Sequence, residues 1–254
     1  MNTKIQSELS RLEREKGVRV LYAAESGSRA WGFASRDSDY DVRFIYAHER
    51  DWYLSIDQRR DVIEEPIDSQ LDICGWDLRK TLQLLRKSNP SLLEWLKSPI
   101  VYRADAEFAL LFGHLATEFY SPERVFQHYL SMARGNARDY LRGDIVRLKK
   151  YFYVLRPLLA ARWIEHKKTP VPMKFQTLVD EMVGDDNLRI HIAVLIARKR
   201  AGEELDKAHR IPIISKFIEE ELARLEGVAP RNIELPKTEK LNTFFREFCL
   251  AEAA

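Results

Sequence analysis

Two carboxylates, Asp39 and Asp41, stand one residue apart where an apolar run begins. Side chains alternate between the two faces of a β-strand. A strand that begins here places Asp39, Asp41 and Arg43 on one face. Its other face carries the core side chains Tyr40, Val42 and Phe44. The pattern therefore predicts one chemical face and one core face.

Neighbouring carboxylates are costly, because like charges repel and raise one another's pKa. A divalent cation between them removes that cost, and Mg2+ accepts one or two carboxylates together with substrate phosphates. Asp39 and Asp41 therefore predict a site for a metal and a nucleotide, with Mg2+ as the metal and Mn2+ as the alternative. An ordinary polar turn, in which Asp side chains bond nearby backbone groups, is the competing interpretation. An EF-hand loop is excluded, because its Gly and its closing Glu are missing.

A turn of small residues, Gly27-Ser28, precedes the two carboxylates. Backbone without bulky side chains can direct N–H groups at a phosphate, and the Ser28 hydroxyl adds a donor. Gly27-Ser28 followed by Asp39-Tyr40-Asp41-Val42 resembles the motif of the polymerase-beta-type nucleotidyltransferases, which is Gly-Ser, a short loop, then Asp-apolar-Asp-apolar. The loop at residues 29–35 resembles one branch, the RlaP-type nucleotidyltransferases associated with RNA-repair operons. Residues 87–99 and 149–157 resemble the same branch.

The resemblance implies a metal-dependent transfer of a nucleoside monophosphate from a nucleoside triphosphate to a hydroxyl, with release of pyrophosphate. It implies that Asp39 and Asp41 hold two Mg2+ ions and that Ser28 holds the terminal phosphates. Arg29 and Arg43 are further candidates for contacts to the phosphates or the acceptor. Arg43 is equally compatible with an ion-pair partner that keeps Asp41 charged.

A third carboxylate completes the site that the resemblance implies, where it binds one metal and helps to deprotonate the attacking hydroxyl. Asp72 is the predicted residue, because it lies in a second strand-like run, residues 70–76, with Leu71 and Ile73 on the opposite face. A solvent contact at a strand edge is the competing interpretation. The rival carboxylates are Glu64, Glu65, Asp68 and Asp77.

Charge is unevenly distributed along the chain. Residues 1–100 carry 16 Lys and Arg against 17 Asp and Glu, whereas residues 134–174 carry 11 against 3, a net charge of +8. Such a basic block suits a polyphosphate or a nucleic acid, although a solvated helical face is the alternative. Within it Lys149, Tyr153 and Arg156 have helical spacing and are predicted to grip a triphosphate from one stripe. Alternatively, Tyr153 packs in the core while the two cations reach water.

Composition disfavours several classes of protein. The two cysteines, Cys74 and Cys249, are too few for a disulfide framework, and the six histidines show no paired metal-binding spacing. No apolar run reaches the roughly 18 residues of a membrane-spanning helix. The charged N-terminal residues do not fit a signal peptide. We therefore expect a cytoplasmic protein with no membrane partner.

The periodic patterns predict an α+β fold. A nucleotidyltransferase domain at residues 1–100 is expected to hold a small mixed β-sheet with flanking helices. A nucleotide- or substrate-binding domain at residues 101–254 is expected to be all-helical, because strand signals nearly vanish beyond residue 100. Helices are predicted at residues 2–16, 78–87, 91–96, 121–143, 144–166, 173–183, 186–201, 212–226 and 239–252.

The acceptor is less defined than the nucleotide. RNA-end repair is implied by the resemblance, and the basic block is compatible with an RNA backbone. No RNP-type aromatic stretch or KH-type loop is present in the sequence. The alternatives are a protein acceptor, in an antitoxin-like adenylylation, a small-molecule acceptor, and a non-catalytic nucleotide- or RNA-binding protein. The retained carboxylates favour an enzyme, because a cluster of negative charge costs stability without giving activity.

Overall fold

The computed structural model describes residues 1–65, 70–203, 205–228 and 234–249. Its strands are β1 (Val18–Glu25), β2 (Tyr40–His48), β3 (Val62–Glu64), β4 (Leu71–Asp77), β5 (Val101–Ala104), β6 (Ile145–Arg147) and β7 (Lys207–His209). Its helices are α1 (Asn2–Lys16), α2 (Gly27–Trp31), α3 (Arg50–Tyr53), α4 (Leu78–Arg86), α5 (Pro90–Leu96), α6 (Ala106–Glu118), α7 (Pro122–Tyr140), α8 (Lys150–Lys167), α9 (Phe175–Met182), α10 (Asp186–Arg200), α11 (Pro212–Glu226) and α12 (Glu239–Cys249).

These elements form two units. The first unit comprises the described residues of Met1–Ala30, Asp39–Tyr120 and Glu234–Ala254. The second unit comprises the described residues of Trp31–Ser38 and Ser121–Ile233. The chain therefore leaves the first unit after Ala30, between the Gly27-Ser28 turn and the carboxylates. It returns to the first unit at Asp39.

The first unit is built on a five-stranded sheet in the order β3-β4-β2-β1-β5. Strands β2 and β4 are parallel, whereas the other neighbouring pairs are antiparallel. The predicted α+β fold with a small mixed sheet is confirmed. The parallel pair matters most for function, because it carries both strand-borne carboxylates of the predicted site.

One face of this sheet is covered by α1, as the apolar spacing of that helix predicts. Ile5, Leu9 and Leu12 are fully buried against Val42 and Phe44 of β2 and their neighbours. The helix ends at Gly17, whose φ of 61° lies in the left-handed region that glycine adopts at little cost. The core face predicted for β2 is therefore present.

The other face is covered by helices from distant parts of the chain. Phe108 and Phe112 of α6 pack with Phe244 and Phe248 of α12 in a single apolar cluster that also includes residues of α4 and α5. The aromatic rings seal this side of the sheet. Helix α12, although last in the chain, is therefore part of the core of the first unit.

Capping residues begin several helices where the sequence predicts them. The Asp77 carboxylate accepts a hydrogen bond from the backbone N–H of Arg79 (2.8 Å) and so begins α4. Ser121 caps α7 in the same way, with Pro122 at the first helical position. The sequence predicts these helix starts correctly, because each capping hydrogen bond joins residues that are close together in sequence.

The expected boundary near residue 100 falls inside the first unit. Residues Val101–Ala104 form β5, which pairs with β1 and adds a fifth strand to the sheet. The expectation that strands end near residue 100 is therefore wrong for this segment. The strand is short, at the edge of the sheet and largely open to solvent, so it lacks the apolar alternation that marks a half-buried strand.

The second unit is mainly helical and carries a two-stranded ribbon. Helices α7 and α8 pack along each other, and α9 and α11 also contact α8. Strands β6 and β7 pair antiparallel, with Ile145 opposite His209 and Arg147 opposite Lys207. The helix predicted at residues 144–166 therefore begins only at Lys150. Ile145–Arg147 is a strand instead, because it pairs with Lys207–His209, which lies far away in sequence.

Candidate active site

The parallel register of β2 and β4 brings two carboxylates side by side. Asp41 pairs with Asp72, and both side chains leave the sheet on the same face. They are partly open to solvent, with 29% of the Asp41 side chain and 27% of the Asp72 side chain exposed. Asp39 lies just before β2 and is exposed. The predicted neighbours on the chemical face, Asp41, Arg43 and Asp72, are therefore together in the first unit.

The Arg43 guanidinium joins the two carboxylates. Its Nη2 lies 2.7 Å from Asp72 Oδ2 and 3.5 Å from Asp41 Oδ1, and its Nη1 donates to the carbonyl oxygens of Val42 and Asp72 (both 3.1 Å). Burial raises the pKa of the Asp41 carboxyl, whereas Arg43 lowers it and the Asp72 charge raises it again. Arg43 therefore supplies the positive charge that two adjoining carboxylates require, as the ion-pair interpretation expects.

Gly27 leaves room for the Asp41 carboxylate. Its φ of 59° is left-handed, and a Cβ built at this position would lie 2.1 Å from Asp41 Oδ2, well inside van der Waals contact. The backbone N–H of Ser26 also donates to the Asp41 carbonyl (2.8 Å). Glycine is therefore required here both by the turn and by the close approach of the acid. Ser28 follows within α2 and is half-buried.

Arg29 is held at the edge of this site by backbone and ring contacts. Its Nε donates to the Asp39 carbonyl (3.1 Å), and its guanidinium lies 3.7 Å from the centroid of the Tyr40 ring. Cation–π contact of this kind fixes a guanidinium over the face of an aromatic ring. Arg29 therefore braces the turn to the beginning of β2, and its contact to a phosphate stays a prediction.

The sequence argument missed Glu25, which lies beneath the site. Glu25 is fully buried, its Oε1 accepts from the Asp41 backbone N–H (2.9 Å), and its Oε2 accepts from the Tyr102 hydroxyl. Burial raises the pKa of the Glu25 carboxyl, and these two hydrogen bonds oppose the rise. The available signal was a lone acid at the end of the apolar run Val18–Glu25, directly before the Gly27 turn.

Replacing Glu25 by Leu should destabilise the protein, because the Asp41 N–H and the Tyr102 hydroxyl would lose their buried acceptor. Each unsatisfied buried group costs about 1–3 kcal/mol. The matched control is Glu25→Gln. Its carbonyl oxygen can still accept from the Asp41 N–H, and its amide N–H can donate a hydrogen bond to the Tyr102 oxygen. Urea unfolding should show a clearly larger loss for Leu than for Gln, and equal losses would contradict the role of this acceptor.

The rival carboxylates are engaged elsewhere. Asp77 is 1% exposed, caps α4 and accepts from the Tyr53 hydroxyl at 2.7 Å. Glu64 forms an ion pair with Arg60, and Glu65 forms one with Arg11 of α1. Asp68 lies outside the described residues. Among the described candidates, Asp72 alone shares an ion-pair partner with Asp41, so it remains our choice for the third carboxylate.

The three predicted triphosphate contacts of the second unit do not share an exposed stripe. Lys149 is exposed and precedes α8, and Tyr153 is 46% exposed, but Arg156 is 2% exposed. The Arg156 guanidinium lies 4.7 Å from the Trp31 ring centroid and donates to the Met173 carbonyl (3.1 Å). Arg156 is therefore part of the interior of the second unit.

The segment Trp31–Ser38 packs into the second unit through aromatic residues. Phe33 stacks on Phe152 of α8 at 4.6 Å between ring centroids and meets Phe175 of α9 edge-on at 5.5 Å. Arg200 of α10 donates to the Gly32 carbonyl (2.9 Å). The loop between the two halves of the motif is therefore anchored by side chains of the helical unit.

The donor set of the carboxylate face fits Mg2+. In the described ranges, no group of three or more His, Cys, Asp or Glu side chains is arranged to hold a metal ion. Mg2+ asks for less than that, since it binds through one or two carboxylates and takes other ligands from water and phosphates. Asp41 and Asp72 offer such oxygens on a partly exposed surface next to Gly27.

This chain is similar in sequence to a curated protein and was also matched to a solved structure. A Bacillus subtilis (strain 168) protein with the name "Uncharacterized protein YcgL" is 55% identical over 229 residues, which is 90% of this chain and 88% of the relative. A second match is the crystal structure of a nucleotidyltransferase-like protein from Exiguobacterium sibiricum 255-15, with a TM-score of 0.33 and 13% sequence identity. The match covers 88% of this chain and 74% of the other chain.

A family model supplies the class. The model described as "RNA repair pathway DNA polymerase beta family" matches residues 1–247, and it defines a nucleotidyltransferase of the polymerase beta type. Within that class, the chain belongs to the RlaP family. No helix among the described residues is both long and apolar enough to span a bilayer.

Proposed function

We propose that this protein transfers a nucleoside monophosphate from a nucleoside triphosphate to a hydroxyl at an RNA end and releases pyrophosphate. The observation that carries the proposal is the register of β2 and β4, which sets Asp41 beside Asp72 next to the Gly27 turn. Family membership supports the class of reaction. The RNA acceptor is supported by the family description and by the basic block of the second unit.

The reaction is a substitution at phosphorus. The acceptor oxygen forms a bond to the α-phosphorus, the bond from that phosphorus to the oxygen bridging the β-phosphate breaks, and pyrophosphate leaves. The acceptor proton goes to a carboxylate, and Asp72 is the candidate base. Mg2+ held by Asp39, Asp41 and Asp72 would supply charge neutralisation at the phosphates.

The protein's own residues have separate roles in this proposal. Asp41 and Asp72 would hold Mg2+ beside the phosphates, Asp72 also accepts the acceptor proton, and Ser28 donates to the terminal phosphates. Arg43 offsets part of the negative charge of the acidic face before substrate arrives. Lys149 and Tyr153 stay predicted nucleotide contacts, whereas the buried Arg156 supports the loop through Trp31.

The test is transfer of an α-labelled nucleotide. Wild-type protein is incubated with Mg2+, each common nucleoside triphosphate in turn, and a short RNA that ends in a 3′-hydroxyl or a 3′-phosphate. We expect label on the hydroxyl-ended RNA alone, and none with the Asp39→Asn, Asp41→Asn double variant. Label on protein from an added cell extract would replace the RNA acceptor by protein adenylylation. Triphosphate binding without transfer to any acceptor would favour the non-catalytic alternative.

A further inference from the structure

The cations of residues 134–174 have different surroundings in the second unit. Many of its side chains form ion pairs on helical surfaces, as in Arg138 with Asp139, Arg162 with Glu221 and Lys167 with Glu181. Such pairs are typical of a solvated helical face and call for no ligand. Three of the other cations, Arg147, Lys149 and Lys150, lie in β6 and at the beginning of α8, and Lys207 of β7 lies opposite Arg147 in the two-stranded ribbon.

The outer face of this ribbon places like charges opposite each other. Arg147 of β6 pairs in register with Lys207 of β7, and Ile145 pairs with His209. All four residues are exposed, whereas Val146 between them is 3% exposed and points inward. Like charges at directly opposed positions destabilise a strand pair. We call these four residues, Ile145, Arg147, Lys207 and His209, the basic ribbon face.

Among the described residues, no acid forms an ion pair with either cation of this face, Arg147 or Lys207. Asp144 directly precedes β6 and Asp206 directly precedes β7, and neither forms an ion pair with Arg147 or Lys207. The charge is therefore left open to solvent, at a cost that an anionic partner would remove.

A second group of side chains adjoins the ribbon at the start of α8. The Lys150 ammonium lies 4.0 Å from the ring centroid of Tyr140, which is 38% exposed. Burial lowers the pKa of Lys150, and the nearby charges of Lys149 and Arg147 lower it further. These cations are thus close enough to act on one another, and an exposed aromatic ring lies among them.

We propose that the basic ribbon face and Tyr140 bind single-stranded RNA. Arg147 and Lys207 contact successive backbone phosphates, and an unpaired base stacks on Tyr140. Proteins that bind single strands combine a cationic track with aromatic rings in this way. The acidic side chains of a protein partner would contact the cations but would have no use for the exposed ring. A nucleic acid contacts both, because its phosphates bind the cations and its bases stack on the ring. This inference rests on the proposed RNA acceptor and names the surface that would bind it.

The test is the salt dependence of RNA binding by the full chain. Fluorescence anisotropy of a short labelled single-stranded RNA is measured over a salt series for wild type and for the Arg147→Gln, Lys207→Gln double variant. Each phosphate contact in a single strand contributes about 0.7 to the slope of log K against log salt, so the slope should become shallower by about 1.4. Affinity at moderate salt should fall by roughly tenfold.

The matched control is the Arg198→Gln, Lys216→Gln double variant. It removes the same charge from the second unit, but at cations that are already paired with Glu203 and Glu220. It should keep the wild-type slope and affinity. Thermal unfolding by circular dichroism confirms that both double variants are folded.

Several outcomes overturn the proposed surface. The ribbon variant could keep the wild-type slope and affinity, or the control variant could lose as much affinity as the ribbon variant. The wild type could fail to bind RNA, or it could bind an RNA duplex more tightly than the single strand. The surface and the proposed reaction can fail separately. Label transfer to RNA with an unchanged KM in the ribbon variant would remove the surface alone, whereas RNA binding lost in that variant without any transfer would remove the reaction alone.

Discussion

Replacement of Asp41 by Asn should slow nucleotide transfer by roughly 100-fold or more while leaving the protein as stable as wild type or more so. The change keeps the shape of the side chain but removes a charge that burial and the neighbouring Asp72 disfavour, as the raised pKa of Asp41 records. Loss of one electrostatic contact to a reacting group typically costs roughly 10²–10³-fold in rate. Label transfer and urea unfolding measure the two effects in the same preparation.

Measuring both the transfer rate and the stability of Asp41→Asn distinguishes a functional acid from a structural one. A purely structural carboxylate paired with Arg43 would behave in the opposite way, since its loss would weaken the fold and leave transfer intact. Asp61 provides a matched control, because it forms an ion pair with Lys80 (2.9 Å) and lies away from the carboxylate face. Asp61→Asn should transfer nucleotide at the wild-type rate.

Replacement of Gly27 by Ala should both destabilise the protein and impair transfer. A left-handed backbone costs a non-glycine residue about 1–2 kcal/mol. In addition, the new Cβ would meet Asp41 Oδ2 at 2.1 Å, so the carboxylate must move. A displacement near 1 Å in a catalytic group can cost roughly 100-fold in rate. The measurements are the free energy of unfolding in urea and the rate of label transfer.

Gly17 offers a closely matched control for this substitution. Its φ of 61° is nearly that of Gly27, but a Cβ there would meet nothing within 4 Å. Gly17→Ala should therefore lose stability through the backbone alone and keep wild-type transfer. Similar transfer rates in the two alanine variants would show that the contact between Gly27 and Asp41 has no functional consequence.

Local patterns in the sequence predicted much of the first unit. The apolar spacing of Ile5, Leu9 and Leu12 gave α1, and Asp77 gave the start of α4, because both depend on residues close in sequence. The alternation around Asp41 gave the two faces of β2. The same alternation around Asp72 gave a strand, and the parallel pairing of that strand with β2 makes the two acids neighbours.

Long-range contacts account for what the sequence did not predict. The segment Ile145–Arg147 is a strand only because Lys207–His209 pairs with it. Arg156 has the spacing of an exposed stripe, yet it is buried because Trp31, far away in sequence, covers its guanidinium. Glu25 was missed for a similar reason, since its partner Tyr102 lies on β5, an edge strand without a clear apolar pattern.

The arrangement of Arg43 clarifies how the carboxylate face exists without ligand. Its guanidinium contacts Asp41 and Asp72 at once, so it offsets part of the repulsion between the adjoining negative charges. The predicted phosphate contact of Arg43 is compatible with this position, since a guanidinium beside the acids would also lie beside a nucleotide bound to them. The same residue thus serves stability in the free protein and is available to a phosphate.

The most direct test of the account is calorimetric binding of a non-hydrolysable nucleoside triphosphate analogue, with Mg2+ and then with a chelator. It needs no knowledge of the acceptor. We predict that wild-type protein binds the analogue well only with Mg2+, and that Asp41→Asn binds it equally weakly under both conditions. Tight binding by the wild type in chelator, or unchanged Mg2+-dependent binding by Asp41→Asn, would contradict a metal–nucleotide site at these carboxylates.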